Sequence, residues 1–386
     1  EINATIGMAL DDDGEPLILS FLKNYINLSN PSDGFTYAGS FGDINLRKNW
    51  AEQILKKNPT INKEISLPIV TNALTHGLSI FGYLFMNTND VIISPDLYWG
   101  NYRLIFQTAY GAKIQTFETF KNNSSFNTEG FEKLLSSQTA DKITILLNFP
   151  NNPTGYTPTF KEATQINDII IKTAEKGKNV IVICDDAYFG LVFEEGIIKE
   201  SPFAMLCQAH KNILCVKIDG PTKEDYVWGF RVGFITYGIK DGTKALYGAL
   251  ENKTGGAVRG NISNASNLSQ NLLLQAYKNP LYDKEKASKY NILKHRYLEV
   301  ISILKDNKHY SEVFEPLPFN SGYFMCIRLK NADAEEVRQI LLKKYSIGLI
   351  ALGKDIIRVA FSATPTKVLR KLFGGLYKAA LEVSKK

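Results

Sequence analysis

The chain has little of what builds disulfide frameworks, metal clusters or membrane spans. Its four cysteines, Cys184, Cys207, Cys215 and Cys326, show no metal-ligand spacing. Cys184 and Cys215 fall inside apolar runs, where a free thiol packs as a small hydrophobe, so reduced cysteines in a cytoplasmic protein are expected, and no metal. No apolar run reaches the roughly 20 residues that span a bilayer. The start, Glu1-Ile2-Asn3, has neither an initiator Met nor a basic-then-apolar signal segment, and it reads as a trimmed chain. The net charge of +6 is small, with Lys and Arg scattered apart from a solvated Lys385-Lys386 end. A nucleic-acid partner would need a clustered basic stripe with interleaved aromatics, so none is expected. No Gly-x-Gly-x-x-Gly follows a strand, which argues against a nicotinamide dehydrogenase. Internal repeats and low-complexity linkers are also missing.

What is present suits a globular protein of two domains. At 386 residues the chain exceeds the usual ceiling for one hydrophobic core, and 44% hydrophobic with 22% charged residues is ordinary for such proteins. Leu46, Trp50, Ala51 and Ile54 fall on one helical face. Short apolar runs follow at Val91–Ile93, Ile143–Leu147, Val180–Ile183, Ile213–Val216 and Val232–Ile235. They are continuous rather than alternating, as in strands buried on both faces. Between two of them Ile166, Ile169, Ile170 and Ala174 mark an amphipathic helix that stops at Lys176-Gly177. This alternation predicts an α/β fold with a mainly parallel, mixed sheet flanked by helices. After about residue 280 the pattern changes to strands at Gly322–Leu329 and Ile356–Phe361 with helices at Ala334–Tyr345 and Lys367–Val383, a smaller α+β domain.

The chemistry-bearing residues lie at the ends of the apolar runs. Asn148-Phe149-Pro150-Asn151-Asn152-Pro153-Thr154-Gly155 ends one run, Asp185-Asp186-Ala187-Tyr188 ends the next, and Asp219-Gly220-Pro221-Thr222-Lys223 follows a third. Arg231, in Gly229-Phe230-Arg231-Val232-Gly233, comes eight residues after Lys223. In isolation Asn152-Pro153-Thr154-Gly155 is an ordinary turn and Lys223 a loop lysine. A buried aspartate, however, requires a partner. Thr71-Asn72-Ala73-Leu74-Thr75 opens an apolar helix, whose free N–H groups and dipole favour an anion. Arg358 sits inside an apolar strand, where its fork suits a carboxylate.

Order and spacing of these segments, from Tyr37 to Arg358, resemble class I/II aminotransferases, which bind pyridoxal 5′-phosphate on the type I fold. The resemblance implies a large cofactor-binding domain over 35–280 and a small domain built from 1–34 with 281–386. It implies that Lys223 carries the cofactor and acts as general base and acid. Asp185 pairs with the ring nitrogen, with adjacent Asp186 as rival; the register to Tyr188 favours Asp185. Tyr188 and Asn152 donate to the ring hydroxyl. Arg231, Ala73, Leu74, Thr75 and Thr222 contribute to the phosphate site. Gly220 stands where a phosphate-binding serine is common, and a glycine is more usual at Ala73. Trp99 stacks on the ring, with Tyr98 competing. Tyr37 reaches the phosphate of a partner subunit, which implies a homodimer with shared sites. Arg358 grips the substrate carboxylate beside Asn152. Arg259 falls where dicarboxylate-specific relatives carry an arginine from the partner subunit, and a surface role is equally open to it.

The implied activity is transamination of an amino acid with a 2-oxo acid such as 2-oxoglutarate, in amino acid metabolism. A carbon–sulfur β-lyase on the same fold is the alternative, because fold does not fix function. A cofactor-binding regulatory domain is more remote, since no DNA-binding helix pair is evident.

Overall fold

The computed structural model describes residues 1–22 and 32–385, with the side chains of residues 32 and 33 left out. The expected domain join at residues 34 and 35 therefore adjoins positions 23–31, which lie outside the described residues.

Seven strands form the main sheet: β1 (Ile69–Thr71), β2 (Val91–Pro95), β3 (Lys113–Phe117), β4 (Lys142–Asn148), β5 (Asn179–Asp185), β6 (Ile213–Asp219) and β7 (Gly233–Gly238). Their order is β1-β7-β6-β5-β4-β2-β3. All neighbours are parallel except β7, which runs antiparallel to both β6 and β1. The central strands are buried almost throughout, which explains their unbroken apolar sequences. The helix Ile44–Lys57 starts where the Asp43 side chain accepts from the backbone N–H of Asn45 and Leu46. It buries Leu46, Trp50 and Ile54, and the Trp50 ring stacks on Phe234 of β7 at 4.5 Å. The predicted helix between β4 and β5 spans Phe160–Glu175 and opens with a reciprocal Thr159–Glu162 capping box.

A second sheet is antiparallel throughout: β8 (Phe314–Pro316), β9 (Met325–Leu329), β10 (Ile350–Leu352) and β11 (Ile356–Val359), in the order β8-β9-β11-β10. The N-terminal pair Ile2–Asn3 lies parallel to Ile347–Gly348, and the Ala360 N–H donates to the Ala4 carbonyl. Three boundaries differ from the sequence reading. The strand expected from Gly322 begins only at Met325, because Gly322 takes a φ of 72° and its N–H turns to the Leu191 carbonyl. The strand expected to Phe361 ends at Val359 and passes into a short 3₁₀ turn. The helix Ala334–Ile340 loosens into a π-turn over Leu341–Tyr345.

Asn148 and Asp185 are register partners at the ends of β4 and β5, and Asp219 ends β6 alongside. Because β7 runs the other way, its first residue Gly233 pairs with the last residue of β1, Thr71. One edge of the sheet thus gathers the segments around Thr71, Asn148, Asp185, Asp219 and Gly233, at the carboxyl ends where parallel sheets of this kind bind ligands.

Candidate active site

A cavity of ≈ 290 Å³ opens at this edge. Leu74, Thr75, Trp99, Asn152, Asp185, Tyr188, Lys223 and Arg358 line it. Tyr102, Asn148, Ala187, Phe324 and Gly7 complete the wall, and the sequence reading had given none of these five a role.

Lys223 stands on the short helix Pro221–Glu224, directly beyond β6. Its ammonium nitrogen lies 5.0 Å from the centre of the Tyr188 ring, and its carbonyl accepts from the Tyr323 hydroxyl at 3.0 Å. Burial pushes the amine down to about 8, against the pull of Asp185, while the charge of Arg231 adds to the lowering. An amine so placed can exchange a proton near neutral pH.

Asp185 and Asp186 divide sharply. Asp185 faces the cavity and accepts from the Tyr102 hydroxyl at 2.5 Å and from the Ala187 N–H at 3.1 Å. Burial raises its pKa above the ordinary carboxylate value, against the lowering by the Tyr102 and Ala187 bonds and the Lys223 charge. Asp186 does not line the cavity: it is paired with buried Lys217 and accepts from the Ser201 hydroxyl at 2.6 Å. Lys217 also lies 3.3 Å from Asp219, which takes the Trp50 indole N–H at 3.0 Å.

The loop after β4 is held by its own side chains. Asn148 donates to the Asp185 carbonyl at 2.8 Å and accepts from the Asn152 N–H at 2.8 Å. The Asn152 side chain in turn accepts from Arg358 at 3.1 Å. Arg358, on β11, also donates to the Thr5 carbonyl at 3.1 Å and lies 4.2 Å from the centre of the Phe324 ring. Its Nε is buried without a hydrogen-bond partner.

Trp99 and not Tyr98 lines the cavity. Its ring meets Tyr102 edge-on at 5.5 Å, whereas the Tyr98 hydroxyl accepts from Arg103 at 2.7 Å. The helix Ala73–Phe85 presents Leu74 and Thr75 at its N-terminal end. Ala73 has a φ of 62°, a conformation that favours glycine. Its backbone is pressed against β7: a Cβ on Gly233 would fall 2.7 Å from the Ala73 carbonyl carbon. A Cβ on Gly220 would fall 2.9 Å from both the Gly233 Cα and the Val232 carbonyl. The serine common in relatives therefore has no room on this backbone.

Six expected residues lie apart from the cavity wall: Ala73 and Gly220, just described, and Thr222, Arg231, Tyr37 and Arg259. Thr222 is buried and Arg231 is exposed, donating to the Trp228 carbonyl at 3.2 Å. Tyr37 is 90% exposed, and Arg259 is exposed on the helix Lys244–Ile262.

The cavity suits pyridoxal phosphate by its donor set: a half-buried lysine, a buried aspartate, an indole, a tyrosine and an asparagine amide around one space, with a helix N-terminus and tight glycine contacts beside it. Among the described residues no group of three His, Cys, Asp or Glu could hold a metal ion, and no helix is long and apolar enough to cross a membrane.

A mainly parallel seven-stranded sheet with lysine, aspartate and arginine converging at its carboxyl edge is the type I fold of the aminotransferases. The model of the aminotransferase class I and II family matches residues 2–376, and the chain belongs to that family. It is similar to a probable aspartate/prephenate aminotransferase of Rickettsia felis, 27% identical over 287 residues, which are 74% of this chain and 64% of that protein. An aspartate aminotransferase of Bacillus subtilis is 24% identical over 250 residues, 64% of this chain and 58% of that one. The chain thus spans just under two thirds of the length of these curated relatives. Among solved structures, an aminotransferase from Anaerococcus prevotii is 26% identical with a TM-score of 0.87, covering 99% of this chain and 91% of the other. A Pyrococcus horikoshii kynurenine aminotransferase, at 15% identity and a TM-score of 0.81, covers 99% and 91% and agrees in fold alone.

Proposed function

We propose that the chain is a pyridoxal 5′-phosphate-dependent aminotransferase that moves an amino group from an amino acid to a 2-oxo acid, with 2-oxoglutarate as the acceptor. Residues 35–280 form the cofactor-binding domain, and 1–34 with 281–386 the smaller one. The observation that carries this reading is the convergence of Lys223, Asp185, Asn152, Tyr188 and Arg358 on one cavity.

When bound, pyridoxal phosphate supplies a carbonyl for the amino group and a ring that draws electrons from the substrate. Lys223 would hold the cofactor, and its amine is placed to take a proton from the substrate α-carbon and return it. Asp185, fixed by Tyr102 and Ala187, keeps a negative charge for the ring nitrogen. Asn152 and Tyr188 would donate to the ring hydroxyl, and Trp99 would pack on the ring. Leu74 and Thr75, with Ala73, Gly220, Thr222 and Arg231, would hold the phosphate. Arg358 binds the substrate carboxylate, with Asn152 setting its orientation. The exposure of Tyr37 and Arg259 supports their delivery to a second subunit, giving a homodimer with shared sites, in the cytoplasm.

The test is a panel of amino donors with 2-oxoglutarate, read by glutamate formation. Glutamate from one or more donors supports the proposal. Pyruvate formed from cystathionine or cysteine without any added oxo acid would instead mark a lyase.

A further inference from the structure

The N-terminal segment reaches the cavity wall through Gly7, and bonds on either side of that residue hold the segment in place. On one side the Ala4 carbonyl accepts from the Ala360 N–H at 3.0 Å, and the Thr5 carbonyl accepts from Arg358 at 3.1 Å. On the other side stands Ser362. Its hydroxyl donates to the Met8 carbonyl at 3.2 Å, and its carbonyl accepts from the Leu10 N–H at 3.1 Å. Beyond Leu10 the chain turns back on itself. The Asp11 N–H donates to the Glu15 carbonyl, and the Asp11 side chain accepts from the N–H groups of Asp13 and Glu15, each at 2.9 Å. This turn presents Asp12 to Arg296, on the helix Tyr282–Asp306. The Arg296 side chain is fully buried, whereas that of Asp12 is 60% exposed. Arg296 donates to Asp12 Oδ1 at 3.2 Å and to the same Ser362 carbonyl that holds Leu10. A buried guanidinium is costly without a counter-charge, so the pair draws the turn down onto Ser362.

We propose that Arg296 and Asp12 are positioning residues for the substrate side of the cavity: their pair anchors the N-terminal segment and so fixes Gly7 and the Thr5 carbonyl beside Arg358. Cutting the pair loosens the Leu10 end while the Ala4 end stays held. Arg358 then has a less fixed acceptor in Thr5, its guanidinium is less well preorganised, and a carboxylate binds more weakly. Lys223 and Asp185 stand on other elements and keep their places. The effect on substrate rests on Arg358 as the carboxylate-binding residue; the anchoring of the segment does not.

The experiment pairs two readouts on the full chain: hydrogen–deuterium exchange of the peptide holding Gly7, Met8 and Leu10, and steady-state kinetics of the cofactor-loaded protein with an amino donor. Asp12→Ala and Arg296→Met should each speed exchange in that peptide. Each should also raise the donor KM about two- to five-fold, the worth of a partly exposed ion pair, with kcat nearly unchanged. Ser20→Ala removes a bond to Glu285 further along the segment and should do neither. If Arg296→Met does not fold, Asp12→Ala decides, because Asp12 is largely exposed. Unmoved exchange in Asp12→Ala would overturn the proposal. Faster exchange with an unchanged KM would do the same, provided Arg358→Lys raises KM. If Arg358→Lys leaves KM alone as well, the carboxylate assignment fails, while the faster exchange still establishes the anchor.

Discussion

The hydroxyl of Tyr102 donates to Asp185 Oδ2 at 2.5 Å, and both residues are buried at the carboxyl edge of the sheet. A tyrosine thus fixes the carboxylate on which an electron-drawing ring would depend. Tyr102→Phe keeps the ring and its edge contact with Trp99 but deletes a bond to a charged group, worth about 1.5–3 kcal/mol. The Asp185 carboxyl should become harder to ionise, and pyridoxal phosphate should bind roughly ten-fold more weakly or worse. Titration of the cofactor into variant and wild type measures this; equal affinities would show that the carboxylate does not need the hydroxyl.

Two lysines lie near the end of β6, and only one is free to react. Lys217 is locked between Asp186 and Asp219, whereas Lys223 opens on the cavity. Borohydride reduction of the cofactor-loaded protein should trap the label on the Lys223 peptide alone. Lys223→Ala should lose all turnover and keep its fold, as read by circular dichroism. A label on Lys217 would sink the assignment.

Two substitutions toward the commoner family pattern should act in opposite directions. Ala73→Gly relieves a left-handed backbone and should stabilise by about 0.5–1 kcal/mol. Gly220→Ser inserts a Cβ 2.9 Å from two backbone atoms and should destabilise by about 1–3 kcal/mol. Denaturant midpoints compare the pair, and a stabilising Gly220→Ser would refute the packing account.

Stability should fall in acid through Glu224. Burial raises its pKa, but Lys286 and Lys57 overcome this and bring it down to about 2, against an ordinary 4.5. A carboxyl depressed on folding binds fewer protons in the native state, so its stabilisation is complete above the ordinary value and is lost as the pH falls from about 4.5 through about 2. Glu224→Gln should cost about 3 kcal/mol at pH 7, and its deficit should shrink across that window. Urea unfolding at several pH values checks both; a deficit independent of pH would remove the ionic contribution.

Arg259 tests substrate class. Should it reach a partner's site, Arg259→Ala strands the distal carboxylate of an acidic donor, costing about 2–5 kcal/mol for a buried pair. The ratio of kcat/KM for aspartate over phenylalanine should then collapse. An unchanged ratio assigns Arg259 to the surface.

The central strands were legible because burial on both faces leaves no polar positions to confuse the pattern, as in Val180–Cys184. The choice between Asp185 and Asp186 rested in sequence on the register to Tyr188 alone, and its physical reason lies in the packing. Neighbours in a strand point to opposite faces, and only the buried Lys217 on β6 shows which face is already taken. Tyr102 carried a signal that could have found it, three residues after Trp99 in one turn, where its N–H reaches the Trp99 carbonyl at 3.0 Å. Phe324 and Gly7 carried none, since they come to the cavity from distant loops. Gly322 seemed to extend a strand in sequence because the positive φ that ends it depends on the loop it meets.

Gly155 ends the motif that first marked the chain, and a Cβ there would stand 1.9 Å from the Phe324 carbonyl oxygen. The N–H groups of Asn320 and Ser321 both donate to the Gly155 carbonyl. Mechanically, the two sheets are riveted at this point. The loop that carries Asn152 and the loop that leads into β9 are joined by these bonds, and β9 is laced to β11, which carries Arg358. The 3.1 Å bond between Arg358 and Asn152 therefore spans two segments that are tied together at Gly155.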